Sequence, residues 1–229
     1  MVSIGKRRRL AAAVLAVLLG AAGMADAAPA ATPTCRVPDG LLNLSGELDR
    51  TESLVTRKRP VRIIMLGASG ISQEKLESAL ERKMPGSSFD VDIAPSPGLA
   101  EDDFARLRTI VVQTAPDLVI WQVGVRDAIA ASDIDDFELL LDRASDWIDE
   151  RGPDLLLVDP PFVPQVPHER IYIPYVGEIA KLSREELVPM LRRYASMQYL
   201  SEKADRLTTD QRPCVPELMA EAISRAVRP

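Results

Sequence analysis

The chain is poor in the residues that build most metal and acid–base sites. Its 229 residues include one histidine, His168, and two cysteines, Cys35 and Cys214, near opposite ends of the chain. That set lacks the ligand number and spacing of a zinc site, so no metal is expected. After the N-terminal residues no stretch reaches the ~18 consecutive apolar residues that a spanning helix needs. The net charge is −6 and no long basic run follows Arg9, so the electrostatic footprint of a nucleic-acid binder is missing. Internal repeats are absent, and the 18 prolines are scattered among turns rather than gathered in a low-complexity tract. Aromatic residues are scarce, at 4%. Trp121, Phe162, Tyr172 and Tyr175 are therefore read as core or pocket-wall residues rather than as a carbohydrate platform, although Phe162 and Tyr172 flank the same loop.

What is present begins with an export signal. Lys6, Arg7, Arg8 and Arg9 precede an apolar run from Leu10 to Ala22, and Ala25-Asp26-Ala27 follows as an A-x-A cleavage pattern. Residues 1–27 are expected to be a signal peptide, with an uncleaved anchor as the alternative, and residues 28–229 to be periplasmic or secreted. No cysteine directly follows the apolar run, which argues against a lipoprotein. In an oxidising compartment Cys35 and Cys214 are most simply one disulfide; two separate buried thiols are the alternative. With 46% hydrophobic residues the mature chain can bury one sizeable core, as one domain with an N-terminal extension over 28–60.

The extension contains a predicted helix from Leu41 to Lys58. Short apolar runs and amphipathic segments then alternate. Strands are predicted at Val61–Leu66, Phe89–Ala94, Asp117–Val123, Leu155–Val158 and, shorter, Leu187–Leu191. Helices are predicted at Ser72–Lys83, Glu101–Thr114, Asp133–Arg151, Tyr172–Leu182, Arg192–Lys203 and Val215–Val227. This order implies an α/β three-layer sandwich: a parallel sheet of about five strands with helices on both faces. In such sheets ligands meet the carboxyl ends of the strands. The loops beginning at Gly67, Pro95, Gly124 and Asp159 should therefore lie side by side on one rim.

The loop after the first strand reads Gly67-Ala68-Ser69-Gly70. Small residues permit a sharp turn and leave Ser69 exposed, as a nucleophile if a base activates it or as a helix N-cap. A dinucleotide-binding turn fits poorly, because Gln73 stands where a third glycine is needed, and no cofactor is expected.

Together these segments resemble the SGNH (GDSL-like) hydrolases. The first family block, Gly-Asp-Ser, is Gly67-Ala68-Ser69 here, with the serine kept. The second block supplies an oxyanion-hole glycine, and Gly98 fits it. The third, Gly-x-Asn-Asp, is Gly124-Val125-Arg126-Asp127, so Arg126 replaces the asparagine. The stretches 118–124, Val158–Pro164 (VDPPFVP) and Leu191–Met197 (LRRYASM) are similar to exported bacterial members. The last block, Asp-x-x-His, is the one that fails. Its nearest match is Asp205-Arg206-Leu207-Thr208, with Thr208 at the histidine position; anchoring on the final helix places Asp210 there instead.

The resemblance implies an acyl or acetyl ester hydrolase, with a small-molecule or polysaccharide ester as its partner. Ser69 would be the nucleophile, Asp205 the orienting carboxylate, and Gly98, Gly124 and Arg126 the oxyanion pocket. His168 lies on the loop after the fourth strand at the same rim and is a further candidate base. A serine without a histidine base loses general-base assistance worth about 10²–10⁴ in rate. Loss of one oxyanion donor costs about 10²–10³. The expectation is therefore weak or lost hydrolysis, or a non-catalytic binding protein on the same fold. For Arg126 the plain alternative is a surface ion pair with Asp127 or Glu101.

Overall fold

The structure is a computed structural model and describes residues 35–67, 71–162, 169–203 and 214–227. The expected signal peptide lies outside the described residues. Five parallel strands form one sheet: β1 (Val61–Leu66), β2 (Phe89–Ala94), β3 (Leu118–Gln122), β4 (Asp154–Val158) and β5 (Met190–Leu191), in the spatial order β2-β1-β3-β4-β5. The register pairs Ile63 with Val91 on one side and with Leu118 on the other. The chain therefore winds outward from β1 to β2, then returns to β1's other side as β3. The reversal leaves a topological switch point between β1 and β3, where the loops diverge and open a crevice.

Alternation along the strands builds two cores. Ile63, Met65, Ile120, Leu156 and Val158 face one layer, which includes α2 (Gln73–Lys83), α7 (Arg193–Lys203) and α8 (Val215–Ala226). Leu66, Val119, Trp121, Leu155 and Leu157 face the other, formed by α3 (Ala100–Thr114), α5 (Ile134–Asp149) and α6 (Tyr172–Glu185). The central strands bury both faces, which is why β3 reads as an unbroken apolar run rather than an alternating one. Among the described residues no helix is long and apolar enough to cross a membrane.

Most predicted elements appear within two or three residues, and two differ more. The helix expected over Leu41–Lys58 contracts to α1 (Asp49–Thr56), preceded by a single 3-10 turn at Asp39–Leu41. Gly46 explains the break: a Cβ there would lie 1.7 Å from the Leu187 carbonyl oxygen, so this segment runs flat against the backbone entering β5. The start of α1 is set by the carboxylate of Asp154, which accepts hydrogen bonds from Arg50 N (3.2 Å) and Thr51 N (2.7 Å). The fifth strand shortens to two residues because Leu187 adopts a left-handed φ of 56°. The structure also adds a short helix, α4 (Val125–Ala130), directly after β3.

Cys35 and Cys214 form a disulfide. It ties the start of the extension to the residue preceding α8, and Cys214 is fully buried. Arg225 on α8 pairs with Asp39 at 2.9 Å, adding a second tie between the two ends.

Candidate active-site cleft

A cleft of about 680 Å³ opens at the switch point. Gly67 lines it from the end of β1, Pro95, Ser96 and Gly98 from the loop after β2, and Gln122, Gly124 and Arg126 from the end of β3 and the start of α4. The structure thus brings Gly98, Gly124 and Arg126 together beside Gly67, two residues before Ser69. Ser69, His168, Asp205, Thr208 and Asp210 lie outside the described residues.

Two of the glycines are obligatory on local grounds. Gly67 has φ +82°, and a Cβ would approach the Gln122 carbonyl to 2.5 Å, so the turn leaving β1 presses on β3. Gly124 has φ +88° and reverses the chain into α4. Gly98 has a different reason. A Cβ there would sit 2.1 Å from a carboxylate oxygen of Asp102, which folds back to accept a hydrogen bond from Leu99 N at 3.0 Å. A side chain at this position would displace the Asp102 carboxylate from its cap on Leu99 N.

The loop carrying Gly98 is held by Asp103, to which the sequence pattern assigns no role, and by Asp127 of the third family block. Ser96 donates its hydroxyl to Asp103 (2.6 Å), and Trp121 donates its indole N–H to the other oxygen of the same carboxylate (3.1 Å). Asp127 crosses from α4 to accept from Ala100 N at 3.0 Å, satisfying a first-turn N–H of α3. Burial pushes the carboxyls of Asp103 and Asp127 above the usual range, and the hydrogen bonds they accept oppose that rise. Both side chains touch the cleft but are 3% and 5% exposed; Asp103 accepts on both oxygens, and Asp127 accepts from Ala100 N. The only sequence cue to Asp102 and Asp103 is the acidic first turn of α3, which the helix dipole already explains.

Behind the cleft floor lies a second polar network. Asp159, immediately after β4, accepts from Tyr194 N at 2.8 Å and also from Arg193 N, capping α7 from another part of the fold. Arg193 in turn donates its guanidinium to the side-chain oxygen of Gln122. Phe162 packs edge-on against Tyr194 with ring centroids 5.5 Å apart. The stretches VDPPFVP and LRRYASM, which in the sequence are only family resemblances, are thus two halves of one contact. Desolvation pushes the carboxyl of Asp159 up to about 7, against the pull of these donors, and draws Arg193 down to about 10.

The surface pair offered as the alternative for Arg126 does not form among the described residues. Arg126 is exposed, and among the described residues it makes no ion pair with Asp127, Glu101 or any other carboxylate. Its charge acts weakly on Asp103, lowering that carboxyl against the larger effect of burial. Among the described residues no cluster of histidine, cysteine and carboxylates has the arrangement of a metal site.

The model of the Non-GDSL lipase-like family matches residues 34–229. This chain belongs to that family. The name suits a first block in which Ala68 stands where Gly-Asp-Ser has its aspartate. Solved structures share the fold. A variant of Axe2, an acetyl-xylooligosaccharide esterase from Geobacillus stearothermophilus, aligns over 73% of this chain and 94% of its own, with a TM-score of 0.58 and 16% identity. A protein assigned to the G-D-S-L lipolytic family from Desulfitobacterium hafniense aligns over 72% and 99%, with a TM-score of 0.55 and 18% identity. TesA aligns over 71% and 93%, with a TM-score of 0.50 and 16% identity. No curated protein matches the sequence. At these identities the likeness establishes an SGNH-type α/β fold, and the family membership makes the chain hydrolase-like.

Proposed function

We propose that this family member is exported and binds an acyl or acetyl ester in the cleft between β1 and β3, with Ser69 positioned to attack it and with low turnover. The observation that carries this reading is the convergence of Gly67, Gly98, Gly124 and Arg126 on one cleft at the carboxyl ends of the strands. Export is supported by the disulfide, which persists in oxidising compartments, and by the N-terminal pattern of basic, apolar and A-x-A residues.

Low turnover follows from the chemistry of the groups in the cleft. Its described titratable side chains are Asp103, Asp127 and Arg126. The two aspartates are spent on holding the α3 loop, and a guanidinium does not accept a proton. The candidate bases are therefore His168 and Asp210. Incubation with a fluorophosphonate probe tests the reading, because only an activated serine reacts. Slow labelling that disappears in Ser69→Ala supports it; no labelling over many hours removes the hydrolytic step and leaves the non-catalytic binding protein.

A further inference from the structure

Among the described residues that line the cleft, Arg126 is the only cation. It stands exposed on α4, directly after the left-handed turn at Gly124, and forms no ion pair with any described carboxylate. The two carboxylates that line the same cleft accept hydrogen bonds from other groups, and neither forms an ion pair with Arg126. Asp103 has one oxygen on the Ser96 hydroxyl and the other on the Trp121 indole, and Asp127 is fastened to Ala100 N. A guanidinium at an open cleft of about 680 Å³, with five donors and no carboxylate to take them, is a recognition element looking outward.

We infer that Arg126 selects ligands bearing a single carboxylate, which it takes in bidentate fashion, while the ligand's apolar portion lies on the cleft's aliphatic side chains. This deepens the ester-binding reading and rests on it: the favoured esters and products are those that present or release a carboxylate at the β3 end of the cleft. One guanidinium matches the planar fork of one carboxylate. A phosphate dianion suits the site less well, because one guanidinium offsets only one of its charges and no second described cation lines the cleft. The apolar part has a surface to meet. Ile93 lines the cleft, and Ile129, one turn beyond Arg126 on α4, lines it while 65% exposed. The asparagine of the family pattern reaches only a short way and donates from one amide. Arg126 at that position reaches farther and brings a full charge, which changes what the cleft prefers.

The test uses the mature chain and two probes of nearly equal shape, butyrate and butyramide, titrated while the backbone amide signals of Gly98, Gly124 and Val125 are followed by NMR. Butyrate should bind about two- to fivefold more tightly than butyramide, the preference that an exposed guanidinium–carboxylate pair supports. Arg126→Gln should erase that preference, and Arg126→Lys should keep only part of it, since a lysine offers charge without the fork. Arg126 is exposed, so an unchanged thermal midpoint verifies that each variant folds. Equal affinity for the two probes, or a butyrate preference that survives Arg126→Gln, overturns the inference. Fluorophosphonate labelling of the wild type separates this from the hydrolytic reading. Labelling without carboxylate preference sinks only the role of Arg126, and carboxylate preference without labelling sinks only the reaction.

Discussion

Severing the disulfide between Cys35 and Cys214 should be among the most damaging changes that leave the cleft's own residues untouched. The bond spans 179 positions, so it closes most of the chain into a loop. In the chain-entropy treatment a loop of that length removes about 5 kcal/mol of unfolded-state freedom at 25 °C, and measured losses on removing native disulfides run at about 2–5 kcal/mol. The folded state should change little. The segment it fastens is also held by Leu42 and Leu48, both buried, and by the Arg225–Asp39 pair. The effect should therefore act through the unfolded chain. For a domain of this size each kcal/mol shifts the thermal midpoint by about 2–4 °C, so reduction should lower it by roughly 5–15 °C. Urea unfolding of the oxidised protein, the reduced protein and Cys35→Ala/Cys214→Ala separates the contributions. Reduction keeps both sulfur atoms, whereas the double variant also leaves a cavity where buried Cys214 sat. The denaturant slope should steepen without the crosslink, since the freed chain exposes more surface. Oxidised and reduced stabilities that agree within about 0.5 kcal/mol would refute the reasoning, given the ~2–5 kcal/mol expected, and so would two titratable thiols in the unreduced, denatured protein.

Three further outcomes are expected. Asp127→Ala strands the Ala100 N–H and should cost about 1–3 kcal/mol, while Asp127→Asn, which keeps an acceptor, should cost clearly less; equal urea midpoints for the two would show that the bond to Ala100 contributes nothing. Asp159 binds its proton more tightly when folded, near pH 7, than when unfolded, near the ordinary carboxylate range, so its contribution to stability falls as pH rises from about 4 to 7 and is level above that; Asp159→Asn should flatten the thermal midpoint's dependence on pH between about 5 and 8, and an unchanged slope would count against the assignment. Wild-type turnover of p-nitrophenyl acetate should be low, and Thr208→His combined with Arg126→Asn should raise it at least about tenfold if Asp205 orients the new imidazole; robust wild-type turnover abolished by Ser69→Ala would point to His168 or Asp210 as a working base.

The rim is legible in the sequence because glycine and strand ends leave strong local marks. Gly67 and Gly124 follow buried apolar runs and take positive φ, and the loops they begin do lie beside the loop of Gly98. The reason for glycine at position 98 is not legible. The bare Cα leaves room for Asp102 to fold back onto Leu99, a contact that any acidic first turn would resemble. Trp121 and Asp103 are 18 positions apart, and Asp127 and Ala100 are 27 apart. Nothing in composition or spacing joins such pairs.

The layered α/β architecture is written in the amino-acid order, since periodicity and turn residues act over a few positions and β3 needs only its own apolar run to be a central strand. An even cysteine count, read with the N-terminal pattern expected of an export signal, likewise makes a Cys35–Cys214 bond the simplest pairing. Which polar groups work together is instead a property of the assembled fold. Asp154 caps α1, Asp127 satisfies the first turn of α3 and Asp159 caps α7, each from an element distant in sequence, because a helix end accepts any carboxylate that the fold carries to it. The same holds for Arg126. Charge alone allows a surface pair with Asp127 or Glu101, but the fold commits Asp127 to Ala100 and leaves the guanidinium at the cleft.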